Sequence, residues 1–192
     1  MNSKSEIKSF INAIYPLNES TWDDFLKPWE LKEYKRKEII SKQGLVEKYL
    51  YFTVEGIQRG VLYKDGKEYT TFLSFSPSFC NNIESFLSQS GANYNVEAIT
   101  KSRLLRISIV ELNHLKEKHK EVTVLIDKLL VLLIDQMGIR TINLQTLTIE
   151  ERFLDFMERW PFLINKIPHK YIASYLNISD SNFSRLLNSV KI

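Results

Sequence analysis

The spacing of apolar residues changes twice along this 192-residue chain, and the order of the three patterns constrains the fold more than any other feature. Residues 37–110 form short β-rich runs separated by turn residues, after a helical opening around Ile7 and Ile14. From Ile109 to about Gln145 the apolar residues recur at helical spacing, and helical segments follow. The order predicts an α+β protein whose β domain precedes its helices.

Six strands are predicted within the β-rich part, and turn signals lie between them. Asp65-Gly66 separates two runs at a point where a type I′ hairpin needs two residues with positive φ. Many short strands with such a hairpin indicate an antiparallel sandwich, jelly roll or barrel. The predicted strands cover residues 38–40, 48–54, 57–63, 68–75, 95–99 and 103–107.

The central helical stretch is more apolar than one buried flank requires. Its apolar residues occupy nearly all sides of a helix, which favours a subunit interface and therefore a homodimer. A helix packed only on its own β domain is the alternative. Gly138 lowers the helix propensity near the end of this stretch and can mark a bend. The apolar positions include Val122, Leu125, Ile126, Leu129, Leu130, Leu132, Leu133, Ile134, Met137 and Ile139.

Composition narrows the class of protein. The chain is 44% hydrophobic and 26% charged, which is ordinary for a globular protein. Its single cysteine, Cys80, excludes an internal disulfide and a four-cysteine cluster. No apolar stretch reaches membrane length, so a cytoplasmic location without a membrane partner is expected. The net charge of +3 lies in the last thirty-odd residues, where four basic residues face one acidic residue.

The most specific motif is a helix-turn-helix pattern over residues 168–188, after a helix that a Thr148/Glu151 capping box begins and Pro161 ends. Small Ala173 fits a close helix crossing, and Asn177 tolerates the left-handed conformation of the turn. Ser179 can cap the second helix. The buried positions are filled by Ile172, Leu176, Ile178, Phe183 and Leu186.

The outward side of the second helix is small, polar and rich in hydrogen-bonding groups, which suits the major groove of double-stranded DNA. An αα-hairpin inside a helical core is the alternative. The residues expected to read bases are Ser181, Asn182, Arg185 and Asn188. Those expected to contact phosphates are Lys166, Lys170, Tyr171, Ser179 and Lys191.

Together these motifs resemble the Crp/Fnr family of transcription regulators. Further shared features are Lys37-Glu38, Gly44, Val54-Glu-Gly56 followed by Arg59, Asp65-Gly-Lys-Glu68 and Thr148-x-Glu-Glu-Arg152. The resemblance implies an antiparallel β-roll of the jelly-roll, cyclic-nucleotide-binding type over residues 1–120. It also implies a dimerisation helix over 121–146 and a winged-helix-like helix-turn-helix domain over 147–192. Such a homodimer binds a near-palindromic operator, and RNA polymerase is left open as a further partner.

The nucleotide site of that family is altered in this sequence. The family uses a Gly-Glu pair for the ribose and an Arg for the phosphate, whereas Asn81-Asn82 stands in place of the pair and Ala92, Asn93 or Tyr94 in place of the Arg. Cyclic AMP is therefore not expected as the effector. The pocket, with Asn81, Asn82, Glu84 and Tyr94 in its lining, either takes another small molecule or is filled by side chains. Arg59, on a neighbouring strand, could supply the missing charge from another direction, but it is not assigned to the site because a solvated residue is the favoured interpretation.

Neither an enzyme nor a cofactor is indicated. His114, His119 and His169 do not cluster with carboxylates at metal-binding spacing, and no phosphate-binding loop or nucleophile motif is present. Cys80 is interpreted as a packed residue rather than a redox sensor. The alternative function is a ligand-binding or protein-interaction module whose terminal domain does not bind DNA. If the regulator is switched, the resemblance implies coupling through the helix near Gly138.

Overall fold

The computed structural model describes residues 3–189. In chain order the helices are α1 (Ser3–Ile14), α2 (Glu19–Leu26), α3 (Ile83–Ser88), α4 (Ile109–Lys118), α5 (Lys120–Thr146), α6 (Ile149–Arg159), α7 (His169–Leu176) and α8 (Asp180–Ser189). The strands are β1 (Glu30–Tyr34), β2 (Ile39–Ser41), β3 (Tyr49–Glu55), β4 (Ile57–Lys64), β5 (Lys67–Phe75), β6 (Ser78–Phe79), β7 (Asn95–Ala98) and β8 (Ser102–Ser108). A short 3₁₀ turn covers Pro161–Leu163.

The eight strands form two antiparallel four-stranded sheets, which confirms the predicted β-roll. One sheet has the order β1-β8-β3-β6 and the other β2-β7-β4-β5. Asp65 and Gly66 both have positive φ and join β4 to β5 as the predicted two-residue turn. Gly56, between β3 and β4, has φ +94°, and a Cβ there would lie within 2.5 Å of backbone in the β7–β8 turn. Only glycine fits that crossing.

One hydrophobic core lies between the first sheet and the N-terminal helices. Its fully buried members include Ile7 and Ile11 of α1, Phe25 of α2 and Phe52 of β3. Residues Val122, Leu125 and Ile126 of α5 complete it, so the first two turns of the long helix are anchored on the roll.

The helical stretch predicted from Ile109 is two helices rather than one. The chain breaks at His119, whose φ/ψ of −129°/102° is extended, while Ser108 and Glu111 form a capping box at the start of α4. Beyond that break α5 continues without interruption through Gly138 to Thr146. None of the helices in residues 3–189 is long and apolar enough to cross a membrane.

The terminal helices share a second core with the roll. Phe153 and Phe156 of α6 and Ile172 of α7 are buried together with Ile57 of β4 and Ile99. Thr148 and Glu151 make the predicted capping box, with the Glu151 amide 3.2 Å from the Thr148 hydroxyl. Residues 147–189 contain no strand, so the part of the chain that the structure describes has the helix-turn-helix without the strands of a wing.

Candidate nucleic-acid interface

The helix-turn-helix is assembled as the sequence pattern predicts. Pro168 precedes α7, and Asn177 ends it with φ 54° and ψ 49° in the left-handed region. The Ile178 amide donates to the Ala173 carbonyl at 2.9 Å, which closes the turn. Ala173 is 1% exposed at the crossing, and the Phe183 ring of α8 packs 5.4 Å from the Phe153 ring. Close packing therefore fixes the angle between α7 and α8.

The second helix presents the polar face expected of a recognition helix. Ser181, Arg185 and Asn188 are exposed, and Asn182 is partly exposed. The Asn182 amide donates to the Ser179 hydroxyl at 3.3 Å, so Ser179 caps the helix as predicted. Arg185 Nη2 donates to Asn182 Oδ1 at 3.3 Å, which holds the guanidinium over the first turn. These groups form one face of hydrogen-bond donors and acceptors.

Four of the five residues expected to contact phosphates differ in their surroundings. Lys166 is exposed, with Nζ 5.2 Å from the Phe162 ring centroid, and Ser179 is exposed beside the recognition helix. Lys170 is exposed but its Nζ lies 3.6 Å from Glu68 Oε1 of β5. Lys191 lies outside the described residues. Lys166 is therefore placed for the predicted role, whereas the Ser179 hydroxyl already contacts the Asn182 amide and Ser181, and Lys170 has a competing carboxylate.

The predicted phosphate contact of Tyr171 is not supported by its position. Its side chain is 8% exposed because it faces the β-roll rather than the solvent. The ring lies against the guanidinium of Arg59, with Cζ 3.6 Å from the ring centroid. Sequence alone placed Tyr171 near the start of the first helix but did not reveal that this side of α7 is covered.

The interpretation of Arg59 as a solvated residue is wrong. Its side chain is 1% exposed, and Nη2 donates to Glu68 at 2.7 Å and to Glu97 at 3.1 Å. Burial alone would lower the pKa of this guanidinium, but the hydrogen bond from Arg59 to Glu68 and the charge of Glu97 raise it overall. A signal was available, because Ile57 and Val61 flank Arg59 at the alternate positions of the strand.

Two further arginines hold the terminal helices against the end of α5. Arg140 Nη2 donates to the Tyr175 carbonyl at 2.8 Å, and its guanidinium lies 4.6 Å from the Tyr175 ring centroid. Arg152 Nη1 donates to the carbonyls of Leu144 and Leu147 at 3.1 and 3.0 Å. Both satisfy carbonyls at helix ends that have no partner within the helix.

Hydrogen bonds link the residues of the candidate effector region to one another and to neighbouring β2. Asn82 is fully buried, and its Nδ2 donates to Ser41 Oγ at 2.8 Å and to the Tyr94 carbonyl at 3.1 Å. The Tyr94 hydroxyl donates to the Asn81 carbonyl at 3.5 Å, and Glu84 accepts from Asn93 at 3.3 Å. Two open depressions of about 370 Å³ lie near α2 and α4, and none of the four predicted pocket residues lines either one.

The inside of the roll also carries a hydrogen-bonded network. Thr53 donates to Gln58 Oε1 at 2.8 Å, and Gln58 Nε2 donates to Ser102 at 2.9 Å. Cys80 is fully buried, and burial raises the pKa of its thiol to about 12. No group of three or more His, Cys, Asp or Glu side chains within residues 3–189 is arranged to hold a metal ion.

Comparison with known proteins finds a matching family model and solved structures of similar architecture. Residues 31–119 match the family model of the cyclic nucleotide-binding domain. FixK2 from Bradyrhizobium japonicum matches with a TM-score of 0.73 and 16% identity over 83% of each chain. A protein from Eubacterium rectale assigned to the Crp/Fnr family of transcriptional regulators matches with a TM-score of 0.70 and 18% identity, over 90% of this chain and 82% of the other.

The Thermus thermophilus catabolite activator protein has the same fold, with a TM-score of 0.57 and 20% identity over 90% of this chain and 83% of its own. No curated protein sequence matches the chain. The β-roll, long helix and terminal helices therefore occur together, in this order, in solved regulator structures.

Proposed function

Since the chain contains a cyclic nucleotide-binding domain within the architecture of the Crp/Fnr regulators, we propose that it is a sequence-specific DNA-binding transcription regulator that acts as a homodimer. The observation that carries this proposal is the exposed polar face of α8 on a fully packed helix-turn-helix. Ser181, Arg185 and Asn188 point away from the core, whereas Phe183 and Leu186 are buried beneath them. Such a face has the size and chemistry to enter a major groove.

The surface of α5 supports the homodimer. Val131 is 65% and Ile134 is 68% exposed, and Val124 lies seven residues before Val131 on the same side of the helix. Gly138, seven residues after Val131, has open space where a Cβ would be, so a second helix can approach closely there. Pairing two α5 helices buries this apolar stripe and sets the two recognition helices about 34 Å apart, on successive major grooves.

The geometry of the roll supports the loss of cyclic AMP binding. An enclosed phosphate needs a cation close to it. Without that cation, burying the phosphate costs several kcal/mol, about as much as breaking a buried ion pair. The guanidinium of Arg59 is directed toward α7 and already pairs with two carboxylates. The Nδ2 group of Asn82 already donates to Ser41 and to the Tyr94 carbonyl. An effector, if the roll binds one, is therefore a small molecule of another kind.

Selection from a random duplex library with purified protein, with and without a metabolite extract, tests the proposal. We expect enrichment of a two-fold symmetric site, and a steep linear fall of log affinity with log salt concentration. Dependence of the enrichment on the extract indicates that the roll binds an effector. No enrichment in either condition, together with negligible affinity for random duplex, contradicts the proposal and favours a protein-interaction module.

A pair of variants makes the selection specific to the recognition helix. Ser181→Glu adds a carboxylate to the first turn of α8, where a negative charge favours the helix but repels DNA phosphates. Val110→Glu adds the same charge to an exposed position of α4, which lies outside the helix-turn-helix. We expect Ser181→Glu to abolish enrichment and Val110→Glu to preserve it. Equal enrichment by both variants places DNA binding elsewhere on the protein.

A further inference from the structure

Strand β4 carries different chemistry on its two faces. Gln58 points into the roll, where it hydrogen-bonds to Thr53 and Ser102. Its neighbour Arg59 points outward, opposite Glu97 in the β4–β7 register, and the two side chains form an ion pair of 3.1 Å. The outer surface of this sheet therefore holds a buried charge cluster that the effector region does not use.

Helix α7 covers that cluster and adds polar contacts of its own. The Tyr171 ring lies over Arg59, and Lys170 Nζ lies 3.6 Å from Glu68. Ser174 Oγ accepts from the Thr70 amide at 2.8 Å and donates to the Glu68 carbonyl at 3.2 Å. One side of α7 therefore hydrogen-bonds directly to the edge of β5.

Apolar contacts surround these polar ones. The Phe75 ring of β5 lies 5.9 Å from Trp160 and 5.2 Å from Phe162, and Ile57 and Ile99 of the roll belong to the core of the terminal helices. Apolar burial stabilises the contact but is non-directional. The ion pairs and hydrogen bonds define a single register, because a shifted α7 leaves Arg59 without its aromatic cover and Thr70 without an acceptor.

We propose that Arg59, Glu68, Glu97 and Tyr171 form a latch that fixes the orientation of the helix-turn-helix on the β-roll. In a homodimer the latch in each chain then sets the distance between the two recognition helices. The effect on the distance between the recognition helices rests on the proposed DNA-binding function, whereas the latch itself is a contact within one chain. Because α8 takes no part in the latch, its polar face stays exposed and can contact DNA in the latched form.

The double variant Arg59→Met/Glu97→Gln tests the latch. It removes both buried charges, so neither is left unpaired, and replacing a buried pair by neutral side chains of similar size is tolerated in folded proteins. Arg106→Met/Glu30→Gln is the control, because Arg106 also pairs with a glutamate and stacks on a tyrosine, Tyr49, but in a more exposed position on the first sheet.

Hydrogen exchange measures the latch directly. In the latch variant we expect the Thr70 amide and the amides of α7 to exchange at least about tenfold faster, with β3 and β8 unchanged, since only the docking contact opens. The control variant is expected to leave Thr70 unchanged. Unaltered protection of Thr70 in the latch variant overturns the proposal.

DNA binding gives a second readout. On the symmetric duplex recovered by selection, we expect the latch variant to lose at least about tenfold in affinity, because loosely held domains lower the effective concentration of the second half-site contact. On a duplex cut to one half-site we expect less than about a twofold change. Equal affinity of variant and parent for the symmetric duplex also overturns the proposal. If the unmodified protein binds neither duplex, the proposed function fails, while hydrogen exchange still tests the latch.

Discussion

The Cζ atom of Arg59 lies 3.6 Å from the centroid of the Tyr171 ring, which joins the β-roll to the first helix of the helix-turn-helix. Arginine stacks well on aromatic faces, and the contact is strengthened when both groups leave water. Tyr171 is thereby removed from the surface proposed to face DNA. The exposed residues of α8, together with Lys166, are left as the groups whose substitution reports on DNA contact.

Arg185→Ala should weaken binding to the selected operator by about 1–3 kcal/mol and relax the preference at one base position, if the guanidinium reads a base edge. Lys166→Ala is the control for the loss of a phosphate contact. It should weaken binding to all sequences equally and reduce the salt slope by about 1. The measurement is affinity on operator and point-mutated duplexes at several salt concentrations. Uniform weakening by Arg185→Ala would reassign that residue to phosphate.

Ile134→Glu should dissociate the proposed homodimer without unfolding the chain. The side chain is 68% exposed in the single chain, so the charge costs little there, but in a paired α5 interface it would be buried opposite its own copy. Sedimentation equilibrium measures the change. Val110→Glu, at a 60% exposed position of α4, is expected to remain dimeric. A dimer that tolerates Ile134→Glu would place its interface away from this face.

Cys80 should resist alkylation in the native protein. The thiol is fully buried, and burial raises its pKa to about 12, so little thiolate forms and no reagent reaches it. Iodoacetamide at pH 8 is expected to leave the folded protein unmodified and to label it stoichiometrically in denaturant, as mass spectrometry can detect. Rapid labelling of the folded protein would restore the redox-sensor interpretation.

Glu47→Gln should stabilise the protein at neutral pH. Burial raises the pKa of the Glu47 carboxyl above its usual 4.5, because the loss of hydration outweighs the hydrogen bonds that lower it. The folded state therefore holds this proton more tightly than the unfolded state, so the contribution of Glu47 to stability falls as the pH rises from about 4.5 through the folded pKa. Glutamine keeps an oxygen to accept from the Tyr49 amide, which Oε1 does at 3.0 Å.

Urea unfolding of both proteins between pH 4 and pH 8 measures this effect. The free energy of unfolding of Glu47→Gln, relative to the parent, is expected to increase with pH and then level off. Glu117→Gln, on the surface of α4, provides a comparison for the loss of an exposed carboxylate. A relative stability that does not change with pH, or that decreases, would contradict the burial of an ionisable carboxyl at position 47.

Local sequence signals predicted much of the fold. The Asp65-Gly66 turn, the Thr148/Glu151 capping box and the left-handed Asn177 all depend on neighbouring backbone, and all three are present. The strands missed were β1 and β6, and the helices missed were α2 and α3. Strand β1 reads as exposed and charged, and it is a strand because Glu30–Tyr34 pairs with β8, a contact between residues about seventy positions apart. Strand β6 and helix α3 are too short to give a periodic signal.

The sequence by itself determined an antiparallel β domain, the long helix and the polar face of α8, because hydrophobic periodicity, turn residues and caps act over a few neighbouring positions. Only the tertiary structure decided the environment of Arg59, Tyr171 and Lys170. Whether such a side chain faces water, DNA or another domain depends on which surface covers it, and here β5 and α7 meet across about a hundred residues of chain. Burial then turned a charged residue and an aromatic residue, both expected at the surface, into the contact that positions the terminal helices.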